Sequence, residues 1–282
     1  MIQWYPGHMA KAIREIEEKL KLVDLVIVLL DSRIPYSSFN PLLNDLIKNK
    51  MVLYILTKKD MADDTLTEQW IQKYRKNDHS NAIAISAKDS KAKTKVMATV
   101  EKMMEQKRNS DAKKGLKPRA IRTIVTGIPN VGKSTFINMM VGKRVTNVGD
   151  KPGITKVQQW IRISKDLELL DTPGVLWPKF ENQQVGYNLA IVGSIKDDIL
   201  KIDDVANYAL DYIKTYYPNN LISRYGLSAE DLQTDSIKII EKIAILKKYF
   251  LNSGDVDFNR TAVLVLKDVR QLSLGQMTFD RP

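Results

Sequence analysis

The chain holds 282 residues, 44% hydrophobic and 27% charged, with no cysteine and a net charge of +11. Those values fit one or two folded domains and exclude disulfides and thiolate metal sites. The longest apolar run, Leu25 to Leu30, is far too short to cross a bilayer, and the N-terminal MIQWYPGHMAKA lacks the apolar core of a signal peptide; a cytoplasmic protein with no membrane partner is expected.

In chain order, Met9, Ile13, Ile16 and Leu20 recur at helical spacing with charged residues between them, which predicts an amphipathic helix. VDLVIVLLD, Val23 to Asp31, is a continuous apolar run rich in β-branched residues, so a strand buried on both faces of a parallel sheet. A helix is expected over 40–48, a strand at MVLYILT (51–57), a helix over 66–76, a short strand NAIAIS (81–86) and a helix over 91–108. NSDAKKGLKPRA, residues 109–120, reads as a linker by composition. AIRTIVTG (120–127) is a strand that runs into a glycine loop and a helix over 134–140, and VQQWIRIS and LELLD read as two further strands.

Beyond Lys179 the patterns are helical only, at 205–216, 237–250 and 261–271. An α/β parallel sheet over 1–180, followed by an all-helical domain over 181–282, is predicted. Tyr208, Tyr212 and Tyr216 share one helix face there and read as core. The charge is unevenly spread: residues 1–180 carry 32 basic against 19 acidic side chains, and Lys88 to Arg119 alone carries 11 against 4. Such a concentration suits RNA, because each neutralised phosphate releases a counterion. In the helical part Lys238, Lys242, Lys247 and Lys248 fall within one predicted helix, and a local basic patch is expected there.

GIPNVGKS, Gly127 to Ser134, fits the phosphate-binding pattern G-x-x-x-x-G-K-[ST] between a strand and a helix. Gly127 and Gly132 permit the turn that aims backbone N–H groups at phosphates. Lys133 is placed for the β- and γ-phosphates, and the Ser134 hydroxyl for Mg²⁺. Asn130, Val131, Gly132 and Thr135 complete the expected nucleotide loop. LELLDTPG supplies Asp171, 37 residues after Ser134, to hold Mg²⁺ through water, and the Gly174 N–H for the γ-phosphate. Between them GDKPGIT offers Thr155 as a second Mg²⁺ ligand.

A turn TKKD ends the strand at 51–57. Asp60 offers a carboxylate for the guanine N1–H and N2–H₂ donors, which adenine does not present as a pair. Lys58 can lay its stem over the base. Ser86, Ala87 and Lys88 follow the next strand, with the Ala87 N–H available to guanine O6. The common GTPase form has asparagine at the position of Thr57, so some loss of affinity or base discrimination is expected.

These motifs stand in the order base reader, base loop, P-loop, magnesium threonine, DTPG, which resembles the circularly permuted GTPases. WYPGHMAKA, TKKD, GIPNVGKS, KPGIT and DTPG together resemble the ribosome biogenesis GTPase A family. That resemblance implies a P-loop GTPase sheet in circularly permuted order followed by a helical domain that binds RNA or the ribosome. It implies GTP and GDP as ligands, and the large ribosomal subunit with its rRNA, rather than DNA, as partner. Turnover by a monomer, stimulated by the subunit in late assembly, is the implied activity.

The residue after DTPG is Val175, followed by Leu176, and neither can orient a water, so slow intrinsic hydrolysis is expected. The resemblance implies that His8 reaches the nucleotide in the assembled complex, and that Asn130 helps to hold K⁺ beside the phosphates. The segment after DTPG runs directly into the helical domain, and nucleotide state is expected to be transmitted through it. Two other readings compete: a nucleotide-gated rRNA scaffold with little turnover, and a small-subunit assembly GTPase. Asp60 speaks against an ATP-dependent kinase.

Overall fold

A computed structural model describes residues 7–75, 79–145, 159–172, 174, 176–177, 180, 182–195 and 201–282, with the backbone alone for 7–13 and 159. The chain falls into two compact units. One comprises Gln3–Lys179 with Asp280–Pro282, and the other Phe180–Phe279.

The first unit is built on six strands: β1 (Leu25–Asp31), β2 (Met51–Thr57), β3 (Ser80–Ala84), β4 (Ile121–Gly127), β5 (Gln159–Arg162) and β6 (Leu167–Asp171). They lie in the order β3-β2-β1-β4-β6-β5, parallel throughout except for the β5–β6 pair. All seven residues of β1 are buried, as expected of a strand covered on both faces. Helices α1 (Gly7–Leu20), α2 (Leu43–Ile47), α3 (Asp64–Tyr74), α4 (Ala92–Lys113) and α5 (Lys133–Val141) complete the unit. Among them α3 buries Leu66, Trp70 and Ile71, α4 buries Val96, Val100 and Met104, and α5 buries Phe136, Ile137 and Met140.

The sheet order explains the motif order. The strand that delivers the phosphate loop, β4, is fourth in the chain yet central in the sheet. The base-reading strand β2 lies two positions away, with β1 between them. Cutting a P-loop GTPase chain ahead of β1 and joining its natural ends between α4 and β4 reproduces this arrangement, because such ends lie close together at the surface. The fold is therefore α/β with a circularly permuted P-loop sheet.

Several elements differ from the sequence reading, two of them for a local reason visible in the sheet unit. Residues 109–113 continue α4 instead of belonging to the linker. A Lys107–Asp111 ion pair at 3.0 Å lies along that last turn, and the helix ends at Lys113, just before Gly115, whose φ of +70° suits glycine. Helix α2 is shorter than expected because the Asn40 side chain accepts the Leu42 N–H at 3.0 Å, a local turn that competes with helix.

The second unit contains α6 (Gln183–Ile191), α7 (Ile202–Tyr216), α8 (Pro218–Tyr225), α9 (Ser236–Lys247) and α10 (Phe258–Arg270). Its core is Ala206, Leu210, Ile213, Ile239, Ile243, Val265 and Leu266. Asp235 and Asp257 cap α9 and α10 by accepting backbone N–H bonds from Lys238 and Arg260. The tyrosine face of α7 flanks this core: Tyr208 and Tyr212 are half-buried, and Tyr212 packs on Phe279 at 5.0 Å, while Tyr216 is exposed. Among the described residues no helix is long and apolar enough to cross a membrane.

The last three residues pack with the sheet unit. The Asp280 carboxylate accepts from the Ser37 N–H (2.6 Å) and hydroxyl (2.7 Å), and the Asp280 carbonyl accepts from the Trp70 indole at 3.1 Å.

Candidate active site

Strand register brings the motif residues to one edge. Leu29 pairs with Gly127, Val125 with Asp171, and Asp31 with Thr57, so β1, β2, β4 and β6 all end beside the loop after Gly127. Ligands of open α/β sheets bind at this carboxyl edge. Gly127 admits no side chain: a Cβ there would lie 2.9 Å from Val131 Cγ1 and 3.0 Å from the Leu29 carbonyl. Gly132 has φ +99° and Asn130 φ +58°, so the loop turns back into α5 through two left-handed residues. The first turn of α5 then carries Lys133, Ser134 and Thr135, with the last two half-buried.

Lys133 and Asp171, 7% and 1% exposed, form a buried ion pair. The Thr172 hydroxyl donates to the Val125 carbonyl at 2.7 Å and fastens the start of DTPG to β4. Gly174 rests on the phosphate loop itself: an added Cβ would meet Pro129 Cα and N at 3.1 Å. Gly174 and the loop after Gly127 are therefore closely apposed.

On the base side, the Thr57 hydroxyl lies 2.6 Å from the Val131 carbonyl and 3.0 Å from the Leu30 carbonyl. Thr57 thus ties the base-reading strand to the phosphate loop, and its side chain serves backbone acceptors. Substituting Thr57→Val keeps the volume and removes this bond. It should lower stability by about 1 kcal/mol and weaken nucleotide binding severalfold, read by urea denaturation and by titration with a fluorescent GDP analogue. Unchanged values in both would remove Thr57 from the site.

Lys58 adopts left-handed backbone angles, and its ammonium donates to the Asn130 carbonyl (2.7 Å) and to Asp31 (2.9 Å). Asp60 follows on a short 3-10 turn, Lys59–Met61. The Lys59 N–H donates to the Ile85 carbonyl at 3.1 Å, joining this turn to the base loop. There Ser86 is half-buried and Ala87 exposed, and Lys88 pairs with Asp60 at 2.8 Å. Partial burial pushes the Asp60 carboxyl up, but hydrogen bonds from Lys88 and Ser86 outweigh it and hold the group below the ordinary carboxylate range.

Sequence reasoning missed Asp31 and Arg33, 0% and 3% exposed, which form a buried ion pair at 2.7 Å. A charge that ends a strand buried on both faces was the available signal. Burial pushes the Asp31 carboxyl up; the Arg33 and Lys58 charges overcome this and hold it far below the usual range. Thr155 and Val175 lie outside the described residues. His8 falls in the first turn of α1, one residue into the helix, and its side chain also lies outside what is described. Leu176 is fully buried.

The oxygen donors Ser134 and Asp171, with waters and phosphates to complete an octahedron, fit Mg²⁺ and not a soft metal. Among the described residues no group of three His, Asp or Glu side chains forms a closed metal site.

Residues 122–244 match the family model described as 50S ribosome-binding GTPase. The match opens on β4 and leaves the base-reading turn outside, as the permuted order requires. The whole chain is 46% identical to ribosome biogenesis GTPase A of Bacillus cereus over 282 residues, 100% of this chain and 94% of that relative. The chain belongs to the ribosome biogenesis GTPase A family. As a member of it, the protein binds guanine nucleotide and hydrolyses GTP. Ribosome biogenesis GTPase A of Priestia megaterium is 45% identical over 100% of this chain and 97% of its own. The likeness in fold extends to GDP-bound YlqF, with a TM-score of 0.67 at 22% identity over 95% of this chain and 99% of that one.

Proposed function

We propose that this GTPase acts in the cytoplasm as a monomeric timer for late assembly of the large ribosomal subunit, and that the subunit stimulates its turnover. The observation that carries the reading is the convergence of the phosphate loop, the DTPG aspartate and the guanine-reading turn on one sheet edge. The 50S ribosome-binding description of the matching family model supports the choice of subunit. Exposed basic residues support rRNA as the contact: Lys102, Lys113, Lys114 and Lys117 make no ion pair among the described residues.

In this reading Asp60 accepts the guanine N1–H and N2–H₂ donors, the Lys58 stem covers the base, and the Ala87 N–H meets O6, with Thr57, Ser86 and Lys88 supporting these groups. Lys133 turns from Asp171 to the β- and γ-phosphate oxygens, so neither charge is left buried alone. Ser134 and Thr155 directly, and Asp171 through water, would hold magnesium, which neutralises charge on the phosphates when bound. Asn130, Val131, Gly132 and Thr135 line the phosphates, and Gly174 reports the γ-phosphate. Asn130 also holds K⁺ in this scheme; equal rates in potassium and sodium would remove that assignment.

Leu176 is buried and apolar and cannot orient a water. The polar group comes instead from His8 in the assembled complex. His8→Ala is expected to lose subunit-stimulated turnover and to keep its affinity for GDP. A fall in affinity would mark a structural role.

The deciding experiment is GTP turnover by the protein alone, with large subunits and with small subunits. Stimulation by large subunits only is expected. Stimulation by small subunits would replace the partner, and a flat response to both, with RNA binding that follows the nucleotide, would replace the timer by a gated scaffold.

A further inference from the structure

A buried ion pair is an expensive way to hold a loop. Desolvating a carboxylate and a guanidinium costs about as much as their attraction returns, and apolar residues of similar size commonly serve stability as well. Asp31 and Arg33 therefore call for a reason beyond stability, and the bonds of Asp31 supply one. Its Oδ1 accepts from the Arg33 N–H (3.0 Å) and Nε (2.9 Å). Its Oδ2 accepts from Arg33 Nη2 (2.7 Å) and from Lys58 Nζ (2.9 Å).

The same ammonium donates to the Asn130 carbonyl of the phosphate loop. Asp31 sits on β1, the strand between β2 and β4, in register with Thr57. A fixed negative charge thus stands midway between the base-reading turn and the phosphate loop, aimed at the lysine that bridges them.

We propose that Asp31 is a positioning residue for guanine-nucleotide binding: it fixes the Lys58 side chain across the phosphate loop, with Arg33 as its second counterion. The proposal rests on the reading of the site given above. A lysine free to move would lose its rotamer freedom on meeting the nucleotide. Lys58 has already lost it, held by two acceptors at its head and by left-handed angles, φ 56° and ψ 35°, at its base. Its stem is then a ready surface for the base or ribose, and the two halves of the site stay in register before nucleotide arrives.

The test is a double-mutant cycle read as affinity for a fluorescent GDP analogue. Asp31→Asn and Lys58→Met, which keeps the stem and removes the ammonium, are each expected to weaken binding by about tenfold or more, the worth of one hydrogen bond to a charged group. The double variant should bind no worse than the weaker single one, because the two residues act through one contact. Losses that multiply in the double variant, or an Asp31→Asn protein with normal affinity, would overturn the proposal.

Asp31→Asn leaves Arg33 without its counter-charge, so Asp31→Asn/Arg33→Met is made alongside it to keep the fold. That variant should melt like the wild type and still bind GDP weakly. Normal affinity in it would reduce Asp31 to a structural partner of Arg33 and overturn the proposal. A wild-type protein that does not bind GDP would overturn the site reading itself, which the same titration tests first.

Discussion

Replacing Lys133 by alanine is expected to cost stability and nucleotide binding at once. Asp171 is 1% exposed and paired with Lys133, so the truncation leaves a carboxylate buried without its cation. Breaking such a pair costs about 3–5 kcal/mol. Affinity for GTP should fall by about a hundredfold or more, because in the proposed site the lost ammonium also meets the phosphates through charge-assisted bonds. The two effects separate in Lys133→Ala/Asp171→Ala. Removing both partners leaves no uncompensated charge, so most of the stability should return while binding stays lost. Urea denaturation and nucleotide titration of the two variants check this. A single variant as stable as the wild type would mean that the pair carries no weight in the fold.

Asp60→Asn should leave the fold almost untouched and change the preferred base. Asp60 is half-buried, but Lys88, its ion-pair partner, is 82% exposed, so solvent screens the pair and little stability depends on it. The base contact is another matter. An amide offers one acceptor and one donor group where guanine presents two donors, and the mismatched donors face each other. Affinity for GTP should fall by about two orders of magnitude or more. Xanthosine triphosphate, whose O2 replaces the guanine N2–H₂, should gain affinity in compensation. Competition between the two nucleotides measures the switch; retained preference for GTP would place the base reader elsewhere.

The parts legible in the sequence are those set by local chemistry. Strands β2 and β6 span Met51–Thr57 and Leu167–Asp171, as their apolar runs predict, because turn residues bound each run closely. The phosphate loop was legible because only glycine fits at Gly127, and Lys133 and Asp171 were legible through their spacing from it. The end of α4 was not: asparagine, serine and aspartate at 109–111 read as linker until a side-chain pair to Lys107 is known. The Asp31–Lys58 contact was hidden for a deeper reason. It depends on β1 lying between β2 and β4, and strand order is a property of the assembled sheet that no window of sequence contains. The role of Thr57 was hidden in the same way, since its acceptor Val131 is 74 positions distant along the chain.

The final residues have a practical meaning for any attempt to dissect the protein. Asp280 satisfies Ser37 and the Trp70 indole within the sheet unit, so the helical unit is spliced into its neighbour, with a stem on either side. A fragment that stops at Lys179 would strip acceptors from three buried donors, on Ser37 and Trp70, of the half it keeps, and weak activity in that fragment would report damage to the GTPase as much as loss of the helices. A fair excision joins Lys179 to Asp280 through a flexible bridge and carries the last three residues along.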